Sequence, residues 1–345
     1  MAAPNILCDC TGMSEKRWLE CREHGPKGDI EYTVGGSDVA VIFGLSPWTT
    51  PLELWMVKKG RMKPKAPPNP KQLLMGHMLE PIAAHFYGLQ TGNTVIDDNH
   101  LYQHANLEYA LANIDRRYMR KEDGESGVLE CKSLTYHKAA DWADGAIPIY
   151  YELQLRYYLA VMDQRHGAFS ALWGNNPEHD LATPRIERDQ AREDIIFEKL
   201  DRWIWSLRHD KPPTMEDVKP NLAMAALARI YGASKKGLPT IEFPMKFEPK
   251  LRKIAALQKE NTELKGMIKK NEEAIEAHSV RIAELMKNHE HGILTTTTDK
   301  LLVDFATEVT KRVNSDYLKK EYPSVYTEAL RSSKSRKIKV TIQPV

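Results

Sequence analysis

Apolar positions along the chain follow two spacings, and each predicts its own elements. Residues 13–24, MSEKRWLECREH, put Trp18 and Leu19 on one side of a short helix that Ser14 can cap. Gly35 and Gly36 then make a tight approach, and Ser37 or Asp38 caps an apolar helix at 39–43 that Gly44 ends. Pro47 marks a turn, 51–59 is helical again, and 61–70 is a Pro- and Lys-rich connection. A helix follows over about 71–87. Period-two stretches come next: TVID and YALANIDRRYM within 94–118, then GVLECKSL at 127–134, with RKEDGES as the turn before the last.

Residues 149–162, IYYELQLRYYLAVM, carry the spacing of a mostly buried helix. GAFSALWG at 167–174 reads as a strand, and 188–209 as a long helix ended by DKPPT. Helices on both sides of strands predict an α/β (α+β) core with a central mixed sheet, spanning residues 1–215. A connecting segment at 216–248 leads to a different pattern. Positions 254, 257, 261, 264, 268, 271, 275, 278, 282 and 285 advance in steps of three and four. Ile occupies most a positions and Leu most d positions, with Asn261, Asn271 and His278 as interruptions, so 249–290 reads as a coiled-coil helix. It would pair between chains or fold back on its own. Residues 291–345 are expected to form a small strand-rich region, with strands in ILTTTT, KLLVDFAT and RKIKVTI.

Composition narrows the classes only in part. The 49 basic and 47 acidic residues leave a formal charge of +2, so any nucleic-acid site must be a local patch. The tail RSSKSRKIKV offers such a patch, or a solvated end. The start, MAAPNILCDC, lacks a signal-peptide pattern, and no apolar run reaches the roughly 20 residues that span a bilayer. A cytoplasmic protein with reduced cysteines, and no membrane association, is the expectation. No C-x-x-C pair occurs among Cys8, Cys10, Cys21 and Cys131, which weakens a zinc site.

The chemistry starts at GVLECKS. Alternation puts Glu130 and Lys132 on one face of a strand that otherwise reads as buried. Asp115, in ANIDRRY, lies on the preceding strand, so a hairpin brings its carboxylate beside that of Glu130. Two hard oxygen ligands suit Mg²⁺ or Mn²⁺, and a lysine beside them could hold or deprotonate a water and offset negative charge. An exposed acid–base pair on a surface hairpin would look the same in isolation. Its company is harder to reach by chance: Glu80 lies on the helix before the strands, and Gln154 and Tyr158 lie on the helix after them.

As a set, GGSDVAVIFGLSPWTTPLELW, GHMLEPIA, ANIDRRY, GVLECKS and YYELQLRYYLAVM resemble the YqaJ-type viral recombinases over about residues 14–210. These are alkaline exonucleases similar to lambda exonuclease, within the PD-(D/E)XK nuclease superfamily. The resemblance implies that Asp115, Glu130 and the carbonyl of Cys131 bind a divalent metal, with Glu80 serving a second ion or its water shell. Lys132 would position or activate the water, Gln154 would orient that region, and Tyr158 would lie close by. Arg22 and Ser37 match the residues that read a 5′-phosphate. Relatives often have Pro or a small residue before the first Asp and Gly after it. Here Asn113 would replace a phosphate-binding hydroxyl, and Arg116 would touch the DNA backbone.

The implied activity is 5′-to-3′ digestion of linear duplex DNA, leaving a 3′ strand for a single-strand annealing protein. Family members form rings that enclose DNA, so a homo-oligomer, ring or coiled coil, is a further expectation. Two rivals stand beside it. A RecB-like nuclease with an iron–sulphur cluster needs three cysteines after the core, and none follows Cys131. A non-catalytic DNA-end scaffold would have less reason to keep Asp115, Glu130, Lys132 and Gln154 together. Bland roles are also open: a turn at Gly35–Gly36, an N-cap at Ser37, a buried backbone partner for Gln154, packing for His77 and His85, and core positions for Trp48 and Trp55.

Overall fold

Ser14 caps its helix as expected, its Oγ accepting from the Arg17 amide at 3.3 Å in a computed structural model that describes residues 3–65, 69–310 and 313–330. The chain divides into two units, Met1–Gly232 and Ala233–Val345.

In the first unit, strand β1 (Asn5–Asp9) precedes helices α1 (Glu15–His24), α2 (Gly36–Ile42), α3 (Pro51–Lys58) and α4 (Pro70–Thr91). Strands β2 (Thr94–Asp97), β3 (His100–Gln103), β4 (Leu111–Ala112), β5 (Arg116–Met119) and β6 (Ser126–Ser133) follow. Helix α5 (Ile149–Met162) crosses to β7 (His166–Leu172), which pairs with the short β8 (Leu181–Ala182) and β9 (Arg185–Glu187). Helices α6 (Gln190–Arg208) and α7 (Pro220–Tyr231) close the unit.

Three expectations change here. Helix α2 starts at Gly36, so Ser37 is not its cap; Asp38, inside the first turn, reaches back to accept the Gly35 amide at 3.1 Å. The stretch YALANIDRRYM is not one strand. Leu111–Ala112 joins an antiparallel sheet β1-β3-β4, while Arg116–Met119 joins the central sheet β2-β5-β6-β7-β8. Helix α7 lies in a segment that read as loop. Pro220 starts it without giving up a needed N–H, and Arg229 secures it by donating to the buried Glu53 carboxylate on α3 at 2.7 Å.

The central sheet is mixed, with β5–β6 antiparallel and β6–β7 parallel. Its two faces are both covered. Leu129 and Cys131 pack with Ala83, Ala84 and Tyr87 of α4, while Val128 packs with Leu155 and Leu159 of α5 in the main core. Strand alternation therefore directs Glu130 and Lys132 to the α5 face.

The second unit contains helix α8 (Glu248–Met286), a hairpin of β10 (His291–Thr295) and β11 (Lys300–Asp304), and short helices α9 (Ser315–Glu321) and α10 (Pro323–Ala329). The expected strand-rich end is thus a hairpin followed by two helices. The third expected strand, RKIKVTI, and the basic tail lie outside the described residues. No helix among the described residues is long and apolar enough to cross a membrane.

Candidate active site

Asp115 occupies the junction where the chain leaves the small sheet for the central one. The β5–β6 register pairs Arg116 with Leu129, so the next step along both strands sets Asp115 beside Glu130. Its Oδ2 accepts the Cys131 amide at 2.8 Å, which locks the first acid onto the strand carrying the second.

Glu130 is 1% exposed. Lys132 Nζ and Gln154 Nε2 both donate to its Oε1, Gln154 at 2.6 Å, and Gln154 Nε2 also reaches the Tyr158 hydroxyl at 3.3 Å. Glu130 Oε2 is buried with no hydrogen-bond partner among the described residues. A buried carboxylate oxygen without a partner is costly unless something else engages it. Burial, then the Asp115 charge, push the Glu130 carboxyl up to about 8 against the pull of Lys132. Burial alone would disfavour the Lys132 ammonium, but the charges of Glu130 and Asp115 outweigh it and raise its pKa. Lys132 therefore stays charged, its Nζ 5.0 Å from the centre of the Tyr151 ring.

Glu80 joins the same field from α4. Burial and the nearby Asp115 raise its carboxyl, while Arg116 Nη1 holds its Oε1 at 2.7 Å. Arg116 also meets Asp97 at 2.8 Å, so this guanidinium is built into the acidic cluster. The Asn113 amide is committed as well: Oδ1 accepts from the Trp18 indole at 2.9 Å and Nδ2 donates to the His100 carbonyl at 3.0 Å. Arg22 lies over the Trp18 ring at 4.5 Å, and its charge is felt at Tyr158. It has no carboxylate partner among the described residues.

Two concavities meet here. A groove lined by Glu80, Asp115, Cys131, Lys132, His77 and Leu73 lies on one side of Trp48. A cavity of about 410 Å³, walled by Tyr150, Tyr151, Ser37, Ser46 and Gln154, lies on the other. Trp48, read from sequence as core, is instead 53% exposed and stands edge-on to Tyr150 at 5.1 Å; Trp55 is fully buried. Sequence reasoning also missed Tyr151, whose position one turn before Gln154's partner face gave no separate signal. It missed buried Asp98 too, which accepts from Arg117 and Tyr102 and ties β5 to β3.

The donors fit a hard divalent cation. Among the described residues no three His, Cys, Asp or Glu side chains form a ready cluster. Two carboxylates, one of whose buried oxygens is unpartnered, are nonetheless what an ion that keeps most of its waters requires.

Close packing under the site yields one prediction. A Cβ on Gly36 would sit 2.5 Å from the Tyr158 ring. Gly36→Ala is expected to cost about 1–3 kcal/mol by overpacking and to move the Tyr158 hydroxyl off Gln154. The melting temperature should fall; an unchanged value would show that the contact yields freely.

Residues 17–165 match the family described as the YqaJ-like viral recombinase domain. The YqaJ protein of Bacillus subtilis (strain 168) is 26% identical over 335 residues, covering 96% of this chain and 96% of its own. The crystal structure of an alkaline exonuclease (LHK-Exo) from Laribacter hongkongensis is similar over 57% of this chain and 94% of its own, with 19% identity and a TM-score of 0.46. A phage related exonuclease from Haemophilus somnus 129PT is similar over 51% of this chain and 93% of its own, with 15% identity and a TM-score of 0.39.

Proposed function

We propose, from the YqaJ-like viral recombinase domain that this chain carries over residues 17–165, that it is a metal-dependent exonuclease on linear double-stranded DNA. The observation that carries the reading is the unpartnered Glu130 Oε2 within the Asp115, Glu130, Lys132 and Gln154 cluster. Asp115, Glu130 and the Cys131 carbonyl would hold Mg²⁺ or Mn²⁺, which supplies an acidified water and polarises the scissile phosphate. A second ion would draw on Glu80, now held by Arg116.

The chain's own groups do the positioning. Gln154 and Lys132 fix Glu130 through one oxygen and leave the other for the ion. Lys132 enters as an ammonium, so it orients the water and offsets developing negative charge rather than removing a proton. Arg22, without a carboxylate partner among the described residues, and Ser37, on the cavity wall with Gln154, support recognition of a terminal 5′-phosphate and hence 5′-to-3′ polarity. The product would be a 3′ single strand for an annealing protein, in the cytoplasm of the cell where the recombination occurs.

Digestion of linear duplex DNA under Mg²⁺, with 5′-phosphorylated ends, 5′-hydroxyl ends and closed circles in parallel, tests the reading. Loss of linear DNA with a preference for 5′-phosphate, and intact circles, is the expected result. Cut circles would make it an endonuclease. Tight end binding with no cleavage under either ion would make it a scaffold.

A further inference from the structure

Helix α8 runs for 39 residues, and past half-buried Ile254 the apolar positions of its seam are exposed among the described residues. Leu257, Leu264, Ile268, Ile275, Ile282 and Leu285 are 44%, 47%, 57%, 65%, 46% and 82% exposed. Several charged side chains pair along the helix itself, among them Lys259 with Glu263, Lys269 with Glu273, and Arg281 with Glu284. Those pairs are made by b, c and f positions, with Arg281 the exception at g, so they leave the a/d seam bare. A helix this long draws most of its stability in water from packing its apolar face, and this face has no packing of its own.

The seam identifies its occupant. In the heptad frame the a layers read Ile254, Asn261, Ile268, Ile275 and Ile282, and the d layers Leu257, Leu264, Asn271, His278 and Leu285. In a parallel, in-register pair each layer meets its own copy, so Asn261, Asn271 and His278 each face an identical polar group. An antiparallel pair with the full seam overlapped would set Ile268 against Asn271, burying an amide against an aliphatic side chain. Ile at a with Leu at d favours two strands over three, and an Asn at an a layer fixes register. Flanking charges agree: Glu260 at g faces Lys265 at e of the other chain, and no like-charged g–e pair arises.

The geometry points to a second copy of this chain as the partner: α8 forms a parallel, in-register, two-stranded coiled coil that joins two catalytic units. This holds whether or not the catalytic units are nucleases. Sedimentation equilibrium of the full chain over a concentration series tests it. The expected mass is that of two chains, returning to one when Ile268→Lys and Ile275→Lys are combined, with the first unit's thermal transition unchanged. Asn261→Leu should strengthen association by about tenfold, since a polar a layer trades stability for register. Asn271→Cys should crosslink to its own copy under mild oxidation, against the wild-type chain as control. A one-chain mass at every concentration overturns the proposal, as does a dimer indifferent to the lysine pair. A three-chain mass overturns two-strandedness. A dimer in which Asn271→Cys fails to crosslink overturns the parallel register.

Discussion

Lys132→Ala is expected to slow digestion of linear duplex DNA by about 10²- to 10³-fold, the usual loss when one group aimed at developing charge is removed. DNA-end binding should change little, because phosphate contacts elsewhere supply most of it. The fold should also survive. Burial already pushes the Glu130 carboxyl up, and loss of the ammonium would push it further, so the group takes up a proton instead of standing as an unpaired buried charge. Lys132→Met, which keeps most of the stem against Tyr151, separates lost packing from lost charge: it should be as inactive as the alanine variant and more stable. Single-turnover digestion with saturating enzyme is the measurement. Activity within threefold of wild type in both variants, judged against the expected loss, would remove Lys132 from the mechanism.

The second large effect is on pH. A divalent ion needs Glu130 ionised, and burial beside Asp115 keeps it protonated up to about 8. Below that value each bound ion must displace one proton. Affinity for Mn²⁺ should therefore rise by about tenfold per pH unit through the neutral range and level off above it. The apo protein should behave in the opposite sense. Between the ordinary carboxyl value of 4.5 and about 8 the folded state holds a proton that the unfolded chain has released, so this group's contribution falls as pH rises and is flat above. Titration calorimetry in buffers of different ionisation enthalpy would count the proton. Binding that is flat from pH 6 to 9, with no proton released, would mean that Glu130 is already charged or does not bind the ion.

Elements held by their own periodicity were legible in the sequence. Ile149–Met162 matches its expected bounds because four turns of apolar spacing leave one face to bury, and the same strand alternation that marked Glu130 and Lys132 places both toward Gln154. The break between β4 and β5 was not legible. Leu111–Ala112 and Arg116–Met119 have equal strand character, and only their pairing with different sheets separates them. The polar residues divide along the same line. Asp115, Glu130, Lys132 and Gln154 are brought together by a hairpin and a crossover helix, both local in sequence. The amide of Asn113 and the guanidinium of Arg116 meet partners from α1, β3, α4 and β2, contacts that no spacing along the chain encodes. Trp48 was misread because a tryptophan between Pro47 and Thr49 has no periodic face to reveal its exposure.

The position of Asp115 at the seam between two sheets gives the first acid a stability of its own. The three strands β1, β3 and β4 are short, and they join the rest through Tyr102 and Ala112 in the main core and through Tyr157 Oη, which donates to the Leu111 carbonyl at 3.1 Å. Local opening of that small sheet would leave Asp115 in place, because the Cys131 amide holds its carboxylate and β5 stays paired with β6, and opening free energies differ between cooperative segments of one molecule. Affinity for the ion then follows the stability of the central sheet, not the fraction of molecules in which the small sheet is closed. Substitutions in Asn5–Asp9, on the far edge of that sheet from Asp115, would loosen the small sheet with little effect on ion binding.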